Sequence, residues 1–128
     1  MKNRIVLHYL DGRIVKGSTN DFFPDKPWFR LAENDGQDSV KVEISKLKGV
    51  FFVKDFEGSP QYQERYDIGR TGLGKKVQVR FKDGETIIGY TTGFSPGKPG
   101  FFLFPADPHC NAERIFAVTA ATEEITFL

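Results

Sequence analysis

A chain of 128 residues with 39% apolar and 27% charged side chains has the material for a packed core, which excludes a disordered chain. Eighteen Lys and Arg against 17 Asp and Glu leave a formal charge of +1, divided as 9 basic and 7 acidic over 1–53, 4 and 4 over 54–75, and 5 and 6 over 76–128. Neither half is the polycation that phosphate-dominated nucleic-acid binding requires.

The start, "MKNRIVLHYLDGR", is basic, but its apolar run is short and broken by His8, so no secretory leader is expected. No run approaches the ~18 apolar residues of a membrane span. Cys110 is the single cysteine, which rules out an intrachain disulfide and a thiolate metal cluster and suits a reducing compartment. The expectation is a cytoplasmic protein without a membrane partner.

In chain order, Ile5, Leu7 and Tyr9 alternate with polar neighbours, the period of a half-buried strand. Asp11-Gly12 supplies the turn chemistry of a tight hairpin into a second strand, in which Gly17 marks a bulge or sharp bend. "FFPDKPWF", Phe22 to Phe29, is a rigid connection: Pro24 and Pro27 fix φ. "WFRL", "VKVEI" (Val40–Ile44) and "VFFV" (Val50–Val53) then read as the third, fourth and fifth strands.

From 55 to 75 the chain is polar and holds Gly58, Gly69, Gly72 and Gly74, a linker apart from a short helix expected after Ser59-Pro60.

The pattern then starts again. At an offset of 72, "KVQVRFKDGETIIGYTTGFSPGKPGFFL" overlies "RIVLHYLDGRIVKGSTNDFFPDKPWFRL", with identities that include Asp11/Asp83, Gly12/Gly84, Gly17/Gly89, Phe22/Phe94, Pro24/Pro96, Lys26/Lys98 and Pro27/Pro99. Val77, Val79 and Phe81 open the second copy, "GFFLF" and "RIFAV" (Arg114–Val118) continue it, and Ile125 to Leu128 ends it. "PADPHCNAER" and "TAATEE" are each expected to form one helical turn. This is a tandem duplication, with units at 1–54 and 76–128 joined by the linker 55–75. A unit this small buries little surface alone, so the two are expected to pack as a pseudo-twofold pair.

"IVLHYLDGRIVKG" and "VQVRFKDGETIIG", followed by "LKGVFFV" with its basic-Gly step at Lys48-Gly49, resemble the Sm-like small β-barrels, and the whole chain is similar to an uncharacterised bacterial tandem-barrel type. The resemblance implies an all-β fold of two tandem five-stranded barrels, together with RNA binding. The second implication meets departures: no asparagine follows Asp21 in the loop, Gly93 stands at Asp21's counterpart, and Glu123-Glu124 replaces the basic-Gly step. "DIGRTGLG", Asp67 to Gly74, resembles the Asp-x-Ser-x-x-Gly motif of PilZ domains, which implies a cyclic dinucleotide held with help from Arg65 and Arg70; Gly69 stands where serine belongs.

Catalytic chemistry finds little footing. Asp107, His109 and Cys110 crowd one loop but lack a fourth ligand, His8 sits alone on a strand, and the neighbours Glu123 and Glu124 point to opposite faces. No triad or phosphate-cradling loop is present. The expectation is therefore no catalytic residue, no metal and no cofactor, and a non-catalytic module acting through a protein partner or self-association at open strand edges. The alternative is nucleic-acid or nucleotide binding through Lys26, Trp28, Lys98, Arg65 and Arg70. No turn geometry demands either lysine, and Trp28, with Gly100 at its counterpart, is not needed for bulk.

Overall fold

A computed structural model describes residues 3–34, 36, 38–58, 61–94 and 97–128. Both Asp-Gly turns form as the sequence dictates: Gly12 and Gly84 take φ of +94° and +95°, a region closed to most side chains. Each turn joins two antiparallel strands in the same register, Ile5 opposite Gly17 and Val77 opposite Gly89.

The strands are β1 (Asn3–Tyr9), β2 (Ile14–Thr19), β3 (Trp28–Glu33), β4 (Ser39–Glu43), β5 (Leu47–Val53), β6 (Lys75–Phe81), β7 (Thr86–Thr91), β8 (Gly100–Pro105), β9 (Ala112–Val118) and β10 (Thr122–Phe127). Single 3₁₀ turns, Ile44–Lys46 and Thr119–Ala121, precede β5 and β10. The second falls within the expected "TAATEE" turn. No helix forms in "PADPHCNAER" or over 61–68, and Ser59-Pro60 lies outside the described residues, as does Pro96 of the second Pro-Lys-Pro loop.

All ten strands belong to one sheet, in the order β10-β6-β7-β8-β9-β5-β1-β2-β3-β4. This corrects the expected architecture in two respects. The sheet is not closed, since β10 and β4 each have one hydrogen-bonded neighbour. Its two five-stranded blocks meet through unlike strands, the fifth of the first block against the fourth of the second, whereas a twofold axis would pair like with like.

The glycines of the second strands are not bulges. A Cβ at Gly17 would lie 2.5 Å from the Ala32 carbonyl oxygen, and one at Gly89 2.5 Å from that of Phe104. They permit close approach of the neighbouring strand, with no register shift at either position.

Ile5, Leu7, Leu31, Leu47, Val50, Val77, Val79 and Leu103 are fully buried and belong to one core that spans both blocks. At the joint, Phe22 meets Phe116 with ring centroids 5.1 Å apart and Phe52 at 5.5 Å, while Phe102 meets Phe116 at 5.2 Å. Edge-to-face aromatic contacts of this kind add to the burial itself.

Candidate functional site

Three places gather interacting polar groups: the β5·β9 joint, the end bearing the two Pro-Lys-Pro loops, and a cavity beneath the segment from 54 to 74.

At the joint, β5 enters as "LKGVFFV", buried at every residue but Phe51 and hydrogen-bonded along both edges, to β1 and to β9. Tyr9 pairs with Leu47 and His8 with Gly49, so Lys48 is the extra residue of a β-bulge. The bulge aims Lys48 into the β6–β7 turn, where its ammonium lies 2.7 Å from the Asp83 carboxylate, bonds Glu85, and rests 4.9 Å from the Phe81 ring centroid. Burial opposes the charge on Lys48, but the hydrogen bonds it donates to Asp83 and Glu85 outweigh that and its pKa is raised. The same bond, from the other side, holds Asp83 below the usual carboxylate range. Next to them His8 lies 4.3 Å from Phe51, ring to ring, and burial, then Lys48, pushes its pKa down.

The Pro-Lys-Pro loops lie together. Lys98 Nζ is 3.7 Å from the Asp25 carboxylate of the other loop, and Lys26 is 3.7 Å from Asp21. Each loop folds its leading phenylalanine onto the strand that follows, Phe22 on Phe29 at 5.2 Å and Phe94 on Phe101 at 5.1 Å. Pro27 and Pro99 use their carbonyls alike, accepting from Ile44 N–H and Thr119 N–H at 2.9 Å. These contacts give the repeated loop a structural purpose.

Trp28, half-buried on β3, has Lys41 at 5.0 Å, Lys26 at 5.1 Å and Arg30 at 5.8 Å from its ring. Of the five residues singled out from sequence, Lys26, Trp28 and Lys98 therefore gather at one end. Arg65 and Arg70 do not join them: Arg65 pairs with Asp67 at 3.0 Å, and Arg70 donates to the Pro105 carbonyl at 3.0 Å while its backbone N–H reaches the Tyr90 hydroxyl at 3.2 Å.

The described residues of the segment from 54 to 74 are fastened to the strands at several points. Asn111 exchanges two hydrogen bonds with the Asp55 backbone, at 3.1 and 2.8 Å, and Lys16 Nζ donates to the Phe56 carbonyl at 2.9 Å. The buried Asp107 carboxylate accepts from the Tyr62 hydroxyl and from the backbone N–H groups of Arg65 and His109. The hydroxyl contributes most in holding Asp107 at about 2, and the same bond raises Tyr62 to about 12. This tie is fully present between the ordinary Asp and Tyr ranges, is lost as pH falls toward about 2, and is lost as pH rises toward about 12.

Beneath this segment, on the flank of the joint, lies a cavity of about 410 Å³. Val6, Phe51, Ile87 and Ile115 form apolar walls, and Glu64 and Cys110 stand among them. Burial pushes Glu64 up, partly offset by the Cys110 thiol, and burial pushes Cys110 up to about 11, so the thiol is protonated and inert at neutral pH.

Among the described residues no group of three or more His, Cys, Asp or Glu is placed to hold a metal. Glu123 and Glu124 both pair with Arg80, at 3.3 and 3.1 Å. Sequence reasoning passed over Lys48 as half of a borrowed motif, although a lysine inside "LKGVFFV" is itself a signal, since a buried cation needs a partner. Tyr62, Asp107 and Glu64 carried no comparable signal.

Fold and site together define an all-β protein built as one open antiparallel sheet, and among the described residues no helix is long and apolar enough to cross a membrane. The chain belongs to the family of unknown function DUF6982, whose sequence pattern matches residues 1–128. No curated protein and no solved structure matches it.

Proposed function

We propose that the protein is a non-catalytic assembly module: two copies of one Sm-like five-stranded unit in tandem, with edges at β4 and β10 that take a strand from another chain, first of all a second copy. Edge strands expose unpaired backbone groups and add partners readily.

The observation that carries this reading is a charge reversal. Pairing registers equate β10 with β5 and β4 with β9, because Val77 opposite Phe127 repeats Ile5 opposite Phe52, and Phe101 opposite Ala117 repeats Phe29 opposite Val42. The β5·β9 joint inside the chain is thus a template for β10 of one chain against β4 of the next. Glu123 is skipped between Thr122 and Glu124 in the β10·β6 ladder, so it occupies the bulge position of Lys48. At the offset of 72, Asp83 and Glu85 correspond to Asp11 and Arg13. Lys48 against Glu85 inside the chain becomes Glu123 against Arg13 between chains, an ion pair with its signs exchanged, while Lys48 against Asp83 becomes Glu123 against Asp11, a like-charge contact that Arg13, paired with Asp11 at 3.0 Å, screens. Head-to-tail contacts of this type make rings or filaments.

Light scattering across a concentration series tests this. The expected result is a mass above one chain at high concentration, lowered by Glu123→Lys and by Arg13→Glu singly and restored when the two are combined. A monomer at every concentration overturns the reading. A cytoplasmic setting, with Cys110 kept as a thiol, belongs to the same proposal.

The three cations around Trp28 favour a second reading, base stacking in single-stranded RNA. A salt titration with oligonucleotides tests it: no binding at low salt, or binding unchanged by Trp28→Ala, removes it.

A further inference from the structure

The cavity under the 54–74 segment is polar in one particular way. Its strand walls come from β1, β2, β5, β7, β8 and β9, and its volume of about 410 Å³ falls within the ~300–1,000 Å³ of small-molecule sites. It is held open by bonds that do not involve its lining carboxylates, above all the paired hydrogen bonds between Asn111 and the Asp55 backbone.

Of its charged groups, Glu85 is neutralised by Lys48, and the Lys16 ammonium is turned to the Phe56 carbonyl. Glu64 remains. Among the described residues its carboxylate has no ion pair, although its side chain faces apolar walls where a lone charge is costly. At the other end, His8 and Phe51 present adjoining rings. An anion entering here would meet two carboxylates, Glu64 and the Lys48-paired Glu85, against the single ammonium of Lys16, whose donor is turned to the Phe56 carbonyl. A cation would find a carboxylate that has the Cys110 thiol beside it but no opposite charge, and an apolar, aromatic bed for the rest of its body.

We propose that this cavity binds a small organic cation, an ammonium or amidinium group carried on an apolar or planar body, with Glu64 as the charge partner and Phe51 and Ile87 as the contact surface. The sign is opposite to that of the phosphate ligand suggested by Arg65 and Arg70, because the same segment turns its glutamate inward while those arginines are engaged elsewhere.

Three probes of one shape decide it on the intact protein: benzylamine, which is cationic at neutral pH, benzyl alcohol and benzoate, followed by backbone amide shifts of Ile87, Cys110 and Ala112. The amine is expected to bind about tenfold or more tighter than the alcohol, and benzoate to bind weakest. Glu64→Gln, checked for an unchanged amide spectrum elsewhere, is expected to bring amine and alcohol together. If that variant perturbs the fold, Glu64→Asp replaces it and is expected to keep the preference for the amine at lower affinity. The proposal is overturned if amine and alcohol bind the unaltered protein alike, if benzoate is preferred, if none of the three shifts these amides, or if Glu64→Gln keeps the preference. None of these outcomes depends on assembly, since Glu64 and its neighbours lie away from β4 and β10.

Discussion

The fourth strands of the two blocks, β9 and β4, hold the same place in their ladders and have opposite surroundings. β9 is covered by β5 along its length, and Ile115, Phe116, Ala117 and Val118 are all buried. β4 is an outer edge, and only Val42 of its five residues is buried. The contrast extends to neighbours. Gly100, opposite Val118, has no room for a side chain: a Cβ there would lie 2.4 Å from the Ala117 carbonyl oxygen and 2.5 Å from the Phe116 ring. Its counterpart Trp28, opposite Glu43, lies half-open among cations. Gly100 and Trp28 thus differ as their surroundings do: the strand packed over Gly100 leaves no room for a side chain, whereas the open edge beside Trp28 leaves room for one.

The largest expected effect tests the joint. Phe116→Ala removes a ring packed against Phe22 and Phe102 and should cost about 3–5 kcal/mol in denaturant unfolding. Lys41→Ala, at the matching place on β4, should stay within ~0.5 kcal/mol. Equal losses would break the contrast.

Next, Gly100→Ala should destabilise by about 1–3 kcal/mol, because the atoms that its Cβ meets are backbone and a packed ring. Trp28→Ala, at the half-exposed counterpart, should cost less in the same assay.

The smallest effect sharpens the electrostatics. Lys48→Met should cost about 1–2 kcal/mol near neutral pH, less than for a fully buried pair because Asp83 and Glu85 stay about half-exposed and can rehydrate. The sign of its pH dependence follows from the two shifts. Asp83 is depressed, so its share is present above the ordinary Asp value and is lost as pH falls through the folded value. Lys48 is raised, so its share is present below the ordinary Lys value and is lost as pH rises through the folded one. The difference between the two proteins, measured by unfolding across pH, should shrink at both extremes, and because Lys48 also holds the His8 pKa down it should begin to shrink as pH falls through the ordinary His range.

Much of the fold is legible in the sequence for local reasons. Alternation places Ile5, Leu7, Val77 and Val79 in the core, and Asp-Gly fixes both hairpins. Which edges meet is not local. Period-2 patterning says which face of a strand is buried and is silent about its neighbours, so two closed barrels and one open sheet fit the same string. β5 departs from alternation, its run "LKGVFFV" reading as buried on both faces beside the alternating "TEEITF" of β10, and that too concerns faces and not edges. The site divides in the same way. Lys26 and Trp28 come together because they are neighbours in sequence, whereas the meeting of Lys48 with Glu85 and of Tyr62 with Asp107 depends on how distant segments cross.

The unlike-strand joint also sets the order in which the chain can fold. The hairpins close over short loops, but pairing Gly49 with Ala117 must wait until both blocks exist, and contacts so distant in sequence form slowly. During that interval β5 and β9 are both open, and each fits the complementary strand of any other molecule as well as that of its own. Dilute refolding should favour the intramolecular pairing. Refolding at high concentration should divert chains into exchanged dimers, in which one molecule's β5 is covered by another's β9.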